Sequence, residues 1–256
     1  MSRIKELLER KKDHILNVYC TAGFPKLDST LEVMKALQDS GVELIELGMP
    51  YSDPLADGPV IQASGSKAIA NGMTVPVLFK QLKNFRSEIK IPVILMGYLN
   101  PALQYGFEKF CSDAAEIGID GLIIPDLPMF EYEMEYGRII KKYGLSFTFL
   151  ITPETSDERI KKVDELSNGF IYAVSSSSLT GSDKDFNSVE KYLQRIKALN
   201  LKNPVFVGFG IKDKSTFHSA CKYANGAVIG TAYIKTLENA DNVKLKTKEF
   251  IEGILN

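Results

Sequence analysis

Eight short apolar runs, each followed by helical sequence, recur through a chain of 256 residues. No Gly/Ser-rich or Pro-rich linker divides them. Together these observations predict an α/β fold: a single (β/α)8 TIM barrel over residues 1–256 with an extra N-terminal helix. Alternation of this kind implies parallel strands joined by helical crossovers. Eight such units in about 250 residues fit a closed barrel better than an open doubly wound sheet. An open sheet would advertise a GxGxxG turn after its first strand. Here the first run ends in Thr21-Ala-Gly-Phe-Pro25, which cannot serve that role.

Each run is short and bounded by turn residues, the pattern of a strand buried on both faces. A charged helix, Ser2 to Lys12, precedes the first strand, Ile15 to Cys20. A helix with Asp28 as its N-cap leads to Gly41, a residue that suits a helix end. The second strand is Val42 to Leu47, followed by helical pieces at Ile61 to Ala70 and Thr74 to Ile89. Strand three, Pro92 to Met96, is stopped by Gly97-Tyr98-Leu99-Asn100-Pro101. Helix Phe107 to Ile117 leads to strand four, Asp120 to Ile124, which ends at Pro125-Asp126. Helix Glu131 to Tyr143 precedes strand five, Ser146 to Ile151, ended by Thr152-Pro153. Helix Glu158 to Leu166 precedes strand six, Phe170 to Val174, which runs into Ser175. Helix Val189 to Leu199 precedes strand seven, Val205 to Val207, ended by Gly208-Phe-Gly210. Helix Lys214 to Tyr223 precedes strand eight, Ala227 to Ile229, ended by Gly230; a final helix covers Asn242 to Ile254.

Composition narrows the function classes. The 31 basic and 32 acidic side chains nearly cancel, and no single-sign block predicts nucleic-acid or membrane binding. Cys20, Cys111 and Cys221 are odd in number, far apart and without CxxC spacing, so they read as reduced apolar residues. No apolar run reaches transmembrane length and no signal peptide is recognisable, so a cytoplasmic protein is expected.

The stretch Ile45 to Gly58, IELGMPYSDPLADG, carries the strongest chemical signal. It puts Glu46 inside a buried strand and Asp53 and Asp57 in the proline-rich loop beyond it. A buried carboxylate is either paired with backbone N–H groups as a structural element or has its pKa moved for chemistry. The other strand ends offer Tyr19 and Thr21, Tyr98 and Asn100, Asp126, Thr152, Tyr172 and Ser175, then Gly208/Gly210 and Gly230-Thr231. In a barrel these C-terminal ends hold the chemistry, and small residues ahead of helices at the last two can wrap a phosphate. Thr180-Gly181 could complete that pocket. The bland alternative makes Gly210 and Gly230 tight turns only. No strand end carries the lysine of a Schiff-base aldolase. The only histidines, His14 and His218, do not form a metal site, and His218 reads as a helix-surface residue. Metal-free acid/base chemistry on a phosphorylated small molecule remains, with Glu46 and Asp57 as candidates.

The segment Glu46 to Gly58 resembles the signature of the tryptophan synthase α subunit family. Tyr19 with Thr21, Gly23 and Pro25, the Asn100 turn, Pro125-Asp126, Tyr172 ahead of Thr180-Gly181, Gly208-Phe-Gly210 and Gly230-Thr231 fall in the family's order. The resemblance implies a carbon–carbon lyase. It would cleave indole-3-glycerol phosphate to indole and D-glyceraldehyde 3-phosphate without a cofactor in this chain. Indole would pass to a pyridoxal-phosphate-dependent β subunit in an α2β2 complex for L-tryptophan synthesis. It implies Glu46 as general acid/base, Asp57 as partner of the indole N–H, and Tyr172 beside the substrate, a role compatible with core packing. Gly181, Gly210, Gly230 and Thr231 would bind phosphate, Tyr19, Met96 and Ile123 would wall the indole pocket, and Thr180 would couple loop closure to Asp57. Ser178 stands where many relatives have glycine, and Thr231 where serine is commoner. The loop Pro50 to Pro59, with an exposed Tyr51, would touch the β subunit. Rival readings are a neighbouring phosphate-binding barrel enzyme, a regulatory binding module, and a free-standing indole-producing lyase.

Overall fold

The computed structural model describes residues 2–174, 186–208 and 210–256, with side chains in the second segment described from 189 onward. Among the described residues nine strands form one parallel sheet: β1 (Ile15–Thr21), β2 (Leu44–Gly48), β3 (Val93–Met96), β4 (Gly121–Ile123), β5 (Ser146–Phe147), β6 (Leu150–Ile151), β7 (Ile171–Ala173), β8 (Val205–Val207) and β9 (Gly226–Ile229). The hydrogen-bonded order runs β5-β4-β3-β2-β1-β9-β8-β7-β6. Its two ends, β5 and β6, are the two halves of the expected fifth strand. The first half pairs with β4 and the second with β7. Thr148 N donates to Leu122 O on one side and Tyr172 N to Phe149 O on the other, so the sheet closes on itself through this segment. The result is a (β/α)8 barrel, with the fifth strand divided between its two neighbours.

Both faces of the strands are buried, which is why they read as uninterrupted apolar runs. Alternate residues of the ring (Ile15, Leu44, Ile94, Ile123, Phe170, Phe206 and Val228) pack together in the barrel interior. Their neighbours in sequence (Leu16, Ile45, Leu95, Leu122, Ile171, Val207 and Ala227) belong to the larger core beneath the helices. Ile4 and Leu7 of the N-terminal helix Arg3–Arg10 join the interior cluster, so this helix plugs the N-terminal end of the barrel. Arg3 and Arg86 both pair with the buried carboxylate of Asp120 just ahead of β4, and Val93 N donates to the same group at 2.8 Å.

Three local expectations need correction. Asp28 does not cap the second helix: the helix is Thr30–Asp39, preceded by Ser29, and Thr30 Oγ1 accepts from Gly23 N at 3.0 Å. The residues after β3 do not merely stop the strand but open a helix, Leu99–Tyr105. Pro101 is tolerated in its first turn, where an N–H would have no helical partner. Asp126 Oδ1, from the end of the neighbouring strand, accepts from Leu99 N at 2.9 Å. A further helix, Thr231–Glu238, starts immediately after Gly230 and separates β9 from the final helix Val243–Leu255.

Candidate active site

Glu46 sits at the middle of β2 on the inward face, two residues beyond Leu44, and is fully buried. Its register partners are Tyr19 on β1 and Ile94 on β3. Asn17, one inward position earlier on β1, donates from Nδ2 to Glu46 Oε1 at 2.5 Å. Glu46 Oε2 has no hydrogen-bond partner among the described residues. Burial raises the Glu46 pKa to about 8, and the Asn17 hydrogen bond opposes that rise. Among the described residues no backbone N–H meets the carboxyl, which goes against the structural-carboxylate alternative.

Asp57 lies in the loop after β2 and is half-buried. Tyr98, just past β3, donates its hydroxyl to Asp57 Oδ2 at 3.1 Å and accepts from Ala56 N at 2.9 Å. Burial pushes the Asp57 pKa up to about 6, with the Tyr98 hydrogen bond acting against it. The two acids therefore differ: between about pH 6 and 8, Asp57 is an anion and Glu46 keeps its proton. Environments that drive two titratable groups apart assign the acid and the anion.

Two tyrosines connect the acids to the rest of the barrel mouth. Tyr172, on β7, is buried, and its phenol is held well above the ordinary range by burial, then by the charges of Glu46 and Asp57. Tyr19 is also buried and raised, first by burial and then by Asp57. Both rings occupy spaces that glycines leave open. A Cβ at Gly208, after β8, would lie 1.9 Å from Tyr172 Cε2. One at Gly48 would lie 2.1 Å from the Tyr19 hydroxyl. At the end of β9, a Cβ at Gly230 would lie 3.6 Å from Tyr19 Cβ. The ends of β1, β2, β7, β8 and β9 thus converge around Glu46.

Of the expected phosphate residues, Gly210 has φ +63 with open space where a side chain would stand, and Thr231 is the exposed first residue of its helix after Gly230. The backbone N–H groups of such a first turn have no helical partner and favour an anion. Thr180 and Gly181 lie outside the described residues, as do Ser175 and Ser178. Met96 and Ile123 sit on inward positions of adjacent strands, Met96 half-buried and Ile123 fully buried in the interior cluster. Tyr51 is not exposed as expected but half-buried, its ring 5.3 Å from that of Tyr98 and its hydroxyl accepting from Asn100 Nδ2 at 3.2 Å. The large hydrophobic residue of that loop that is exposed is Leu55.

Asn17 is not among the residues expected from the sequence, and Tyr98 is expected there only as a strand-end residue. A polar residue in an apolar strand was the available signal for Asn17. Nothing local pairs Tyr98 with Asp57. Among the described residues no group of three His, Cys, Asp or Glu side chains could hold a metal ion. His218 is exposed on its helix, with its ring 5.5 Å from that of His14, the residue before β1. A cavity of about 490 Å³ between the N-terminal helix and the strand starts, lined in part by Leu8, Lys12, Asn168 and Asn225, lies at the opposite end of the barrel from the acids.

The closed parallel barrel, with Glu46 on its second strand and Asp57 in the loop beyond it, defines a protein of the (β/α)8 class. The model of the family "Tryptophan synthase alpha chain" matches residues 5–254. The tryptophan synthase alpha chain of Flavobacterium johnsoniae is 56% identical over 255 residues, covering 99% of this chain and 100% of that one. That of Phocaeicola vulgatus is 50% identical, with 100% of each chain covered. Among solved structures, tryptophan synthase subunit alpha from Legionella pneumophila superposes with a TM-score of 0.90 at 34% identity, covering 99% of this chain and 97% of that one. The chain belongs to the tryptophan synthase alpha chain family.

Proposed function

We propose that this barrel performs the retro-aldol cleavage of indole-3-glycerol phosphate to indole and D-glyceraldehyde 3-phosphate, the carbon–carbon lyase step of tryptophan synthesis. Family membership supports the reaction. The observation that carries the residue roles is the split pair of acids, Glu46 raised to about 8 and Asp57 to about 6. Asp57, as the anion, accepts from the indole N–H and stabilises positive charge as the ring nitrogen becomes iminium-like. Glu46, as the acid, places its proton on indole C3. The resulting carboxylate takes the proton of the neighbouring side-chain hydroxyl as the bond between C3 and the side chain breaks. That electron pair returns to the ring, indole and the aldehyde separate, and Glu46 is again protonated. Each positioned proton transfer is worth ~10²–10⁴ in rate.

Gly210, Gly230 and Thr231, with Gly181, bind the phosphate in this reading. Tyr172 packs beside the substrate, Thr180 couples loop closure to Asp57, and Tyr19, Met96 and Ile123 wall the indole, where burial contributes about 25 cal/mol per Å². The whole chain acts as one barrel domain in the cytoplasm, bound to a tryptophan synthase β subunit in an α2β2 complex. The pyridoxal phosphate belongs to that partner. Among the described residues no helix is long and apolar enough to cross a membrane.

The test is the pH dependence of kcat/KM for indole release, with and without the β subunit. A bell with limbs near about 6 and about 8 is expected, the two values of Asp57 and Glu46. Full activity in Glu46→Gln would remove the assignment. The loop 50–59 is the proposed β-subunit contact. Unchanged affinity and stimulation in Tyr51→Ala and Pro54→Ala would remove that contact.

A further inference from the structure

We propose that Asn17 is a positioning residue for the chemistry at Glu46: its amide fixes one carboxyl oxygen and reserves the other for the substrate. The inference rests on Glu46 being the acid/base group and adds the residue that sets its geometry.

Asn17 is fully buried in the middle of β1. Its register partners are Leu44 on β2 and Val228 on β9, both aliphatic. The hydrogen bond recorded for its side chain is the one from Nδ2 to Glu46 Oε1. Asn17 Oδ1 has no partner among the described residues. An amide in this place is therefore a poor choice for packing. An aliphatic residue would fill the same space without stripping water from an unpaired carbonyl. What the amide supplies is the one donor that meets the carboxyl among the described residues.

Two consequences follow from that geometry. Oε1 accepts from Nδ2 whether Glu46 is ionised or protonated, because a protonated carboxyl keeps an acceptor oxygen. The mobile proton therefore rides on Oε2, the oxygen with no protein partner. The second consequence concerns the charge on the group. Among the described residues the titratable groups in electrostatic reach of Glu46 are Cys20 on β1 and Tyr172 on β7, with Asp57 and Tyr19 reaching Tyr172 in turn. The thiol and both phenols are raised by burial and stay neutral at pH 7, so the Asn17 amide is what opposes desolvation of the Glu46 anion.

The experiment compares wild type with Asn17→Leu and Asn17→Asp, measuring kcat and KM for indole-3-glycerol phosphate across pH 5 to 10. A carbon-13-detected titration of Glu46 in the free protein runs alongside. Leucine removes the donor at similar size. Aspartate keeps the shape and, when ionised, loses the donor and adds a like charge. In both variants kcat should fall about tenfold or more while KM stays within about threefold, because the group is pre-positioned before substrate arrives. The alkaline limb of kcat/KM and the Glu46 titration should move up together by about one pH unit, since the lost bond favoured the anion. Wild-type kcat and an unmoved limb in either folded variant would overturn the proposal. So would a loss of activity that tracks a lower melting temperature with the limb in place. Glu46→Gln run in parallel separates the two claims. If it retains turnover, the acid/base reading falls and this proposal with it. If it is inactive while Asn17→Leu behaves as wild type, only the positioning role falls.

Discussion

Replacing Glu46 by glutamine should stabilise the protein at high pH while abolishing useful turnover. Burial holds the Glu46 pKa at about 8, against 4.5 for the unperturbed group. Between those values the unfolded chain has released a proton that the native protein keeps. The unfolded state then binds fewer protons, so native stability falls as pH rises through the window. At about 1.4 kcal/mol per pH unit, the interval from 4.5 to about 8 amounts to a loss on the order of 5 kcal/mol above pH 8. Glutamine keeps the volume, can still accept from Asn17 Nδ2, and never ionises. The two proteins should therefore unfold alike near pH 4.5. The variant should gain a margin that grows with pH and levels off above about 8. The assay is urea unfolding followed by far-ultraviolet circular dichroism at one-unit steps from pH 5 to 9, since the chain contains no tryptophan to report by fluorescence. A margin independent of pH, or one that favours wild type increasingly as pH rises, would refute the reasoning. It would mean that Glu46 is an anion already satisfied in the native barrel.

Tyr98→Phe removes the donor to Asp57 Oδ2, so the acid limb of kcat/KM should move upward from about 6, read from the same pH series. Gly208→Ala places a methyl 1.9 Å from the Tyr172 ring. Tyr172 must move, so kcat should fall at least about tenfold, with destabilisation of about 1–3 kcal/mol from overpacking, checked by kinetics and thermal unfolding. Asp120→Ala removes the counter-charge of the Arg86 guanidinium, whose side chain is 15% exposed and keeps backbone carbonyl acceptors at Gly118, Ile89 and Ile91, and frees Arg3 at the plugged end of the barrel. A loss of about 3–5 kcal/mol is expected by chemical denaturation, with kcat of the folded fraction unchanged because this cluster lies far from the acids.

Much of this architecture is legible in the chain itself. Strands buried on both faces must be apolar throughout, so their positions stand out, and all the expected strands occur within a residue or two of their places. The acids of the second unit are legible for the opposite reason: Glu46 interrupts an apolar run where a carboxylate is unfavourable. Local reasoning fails where the partner is remote. Helix Leu99–Tyr105 follows a glycine and contains a proline, and its first N–H is met by Asp126, 27 residues away. The fifth strand is split because its two halves pair with different neighbours, a property of ring closure that its own residues do not announce.

The sequence by itself determined the repeating strand–helix unit, the places of the strands along the chain, and the presence of two acids beside a proline-rich loop. Only the tertiary structure decided which acid keeps its proton. That depends on desolvation and on single hydrogen bonds from other strands, Asn17 to Glu46 across 29 residues and Tyr98 to Asp57 across 41. A carboxyl group's charge is set by what surrounds it in space, and closing the barrel is what brings those groups within reach.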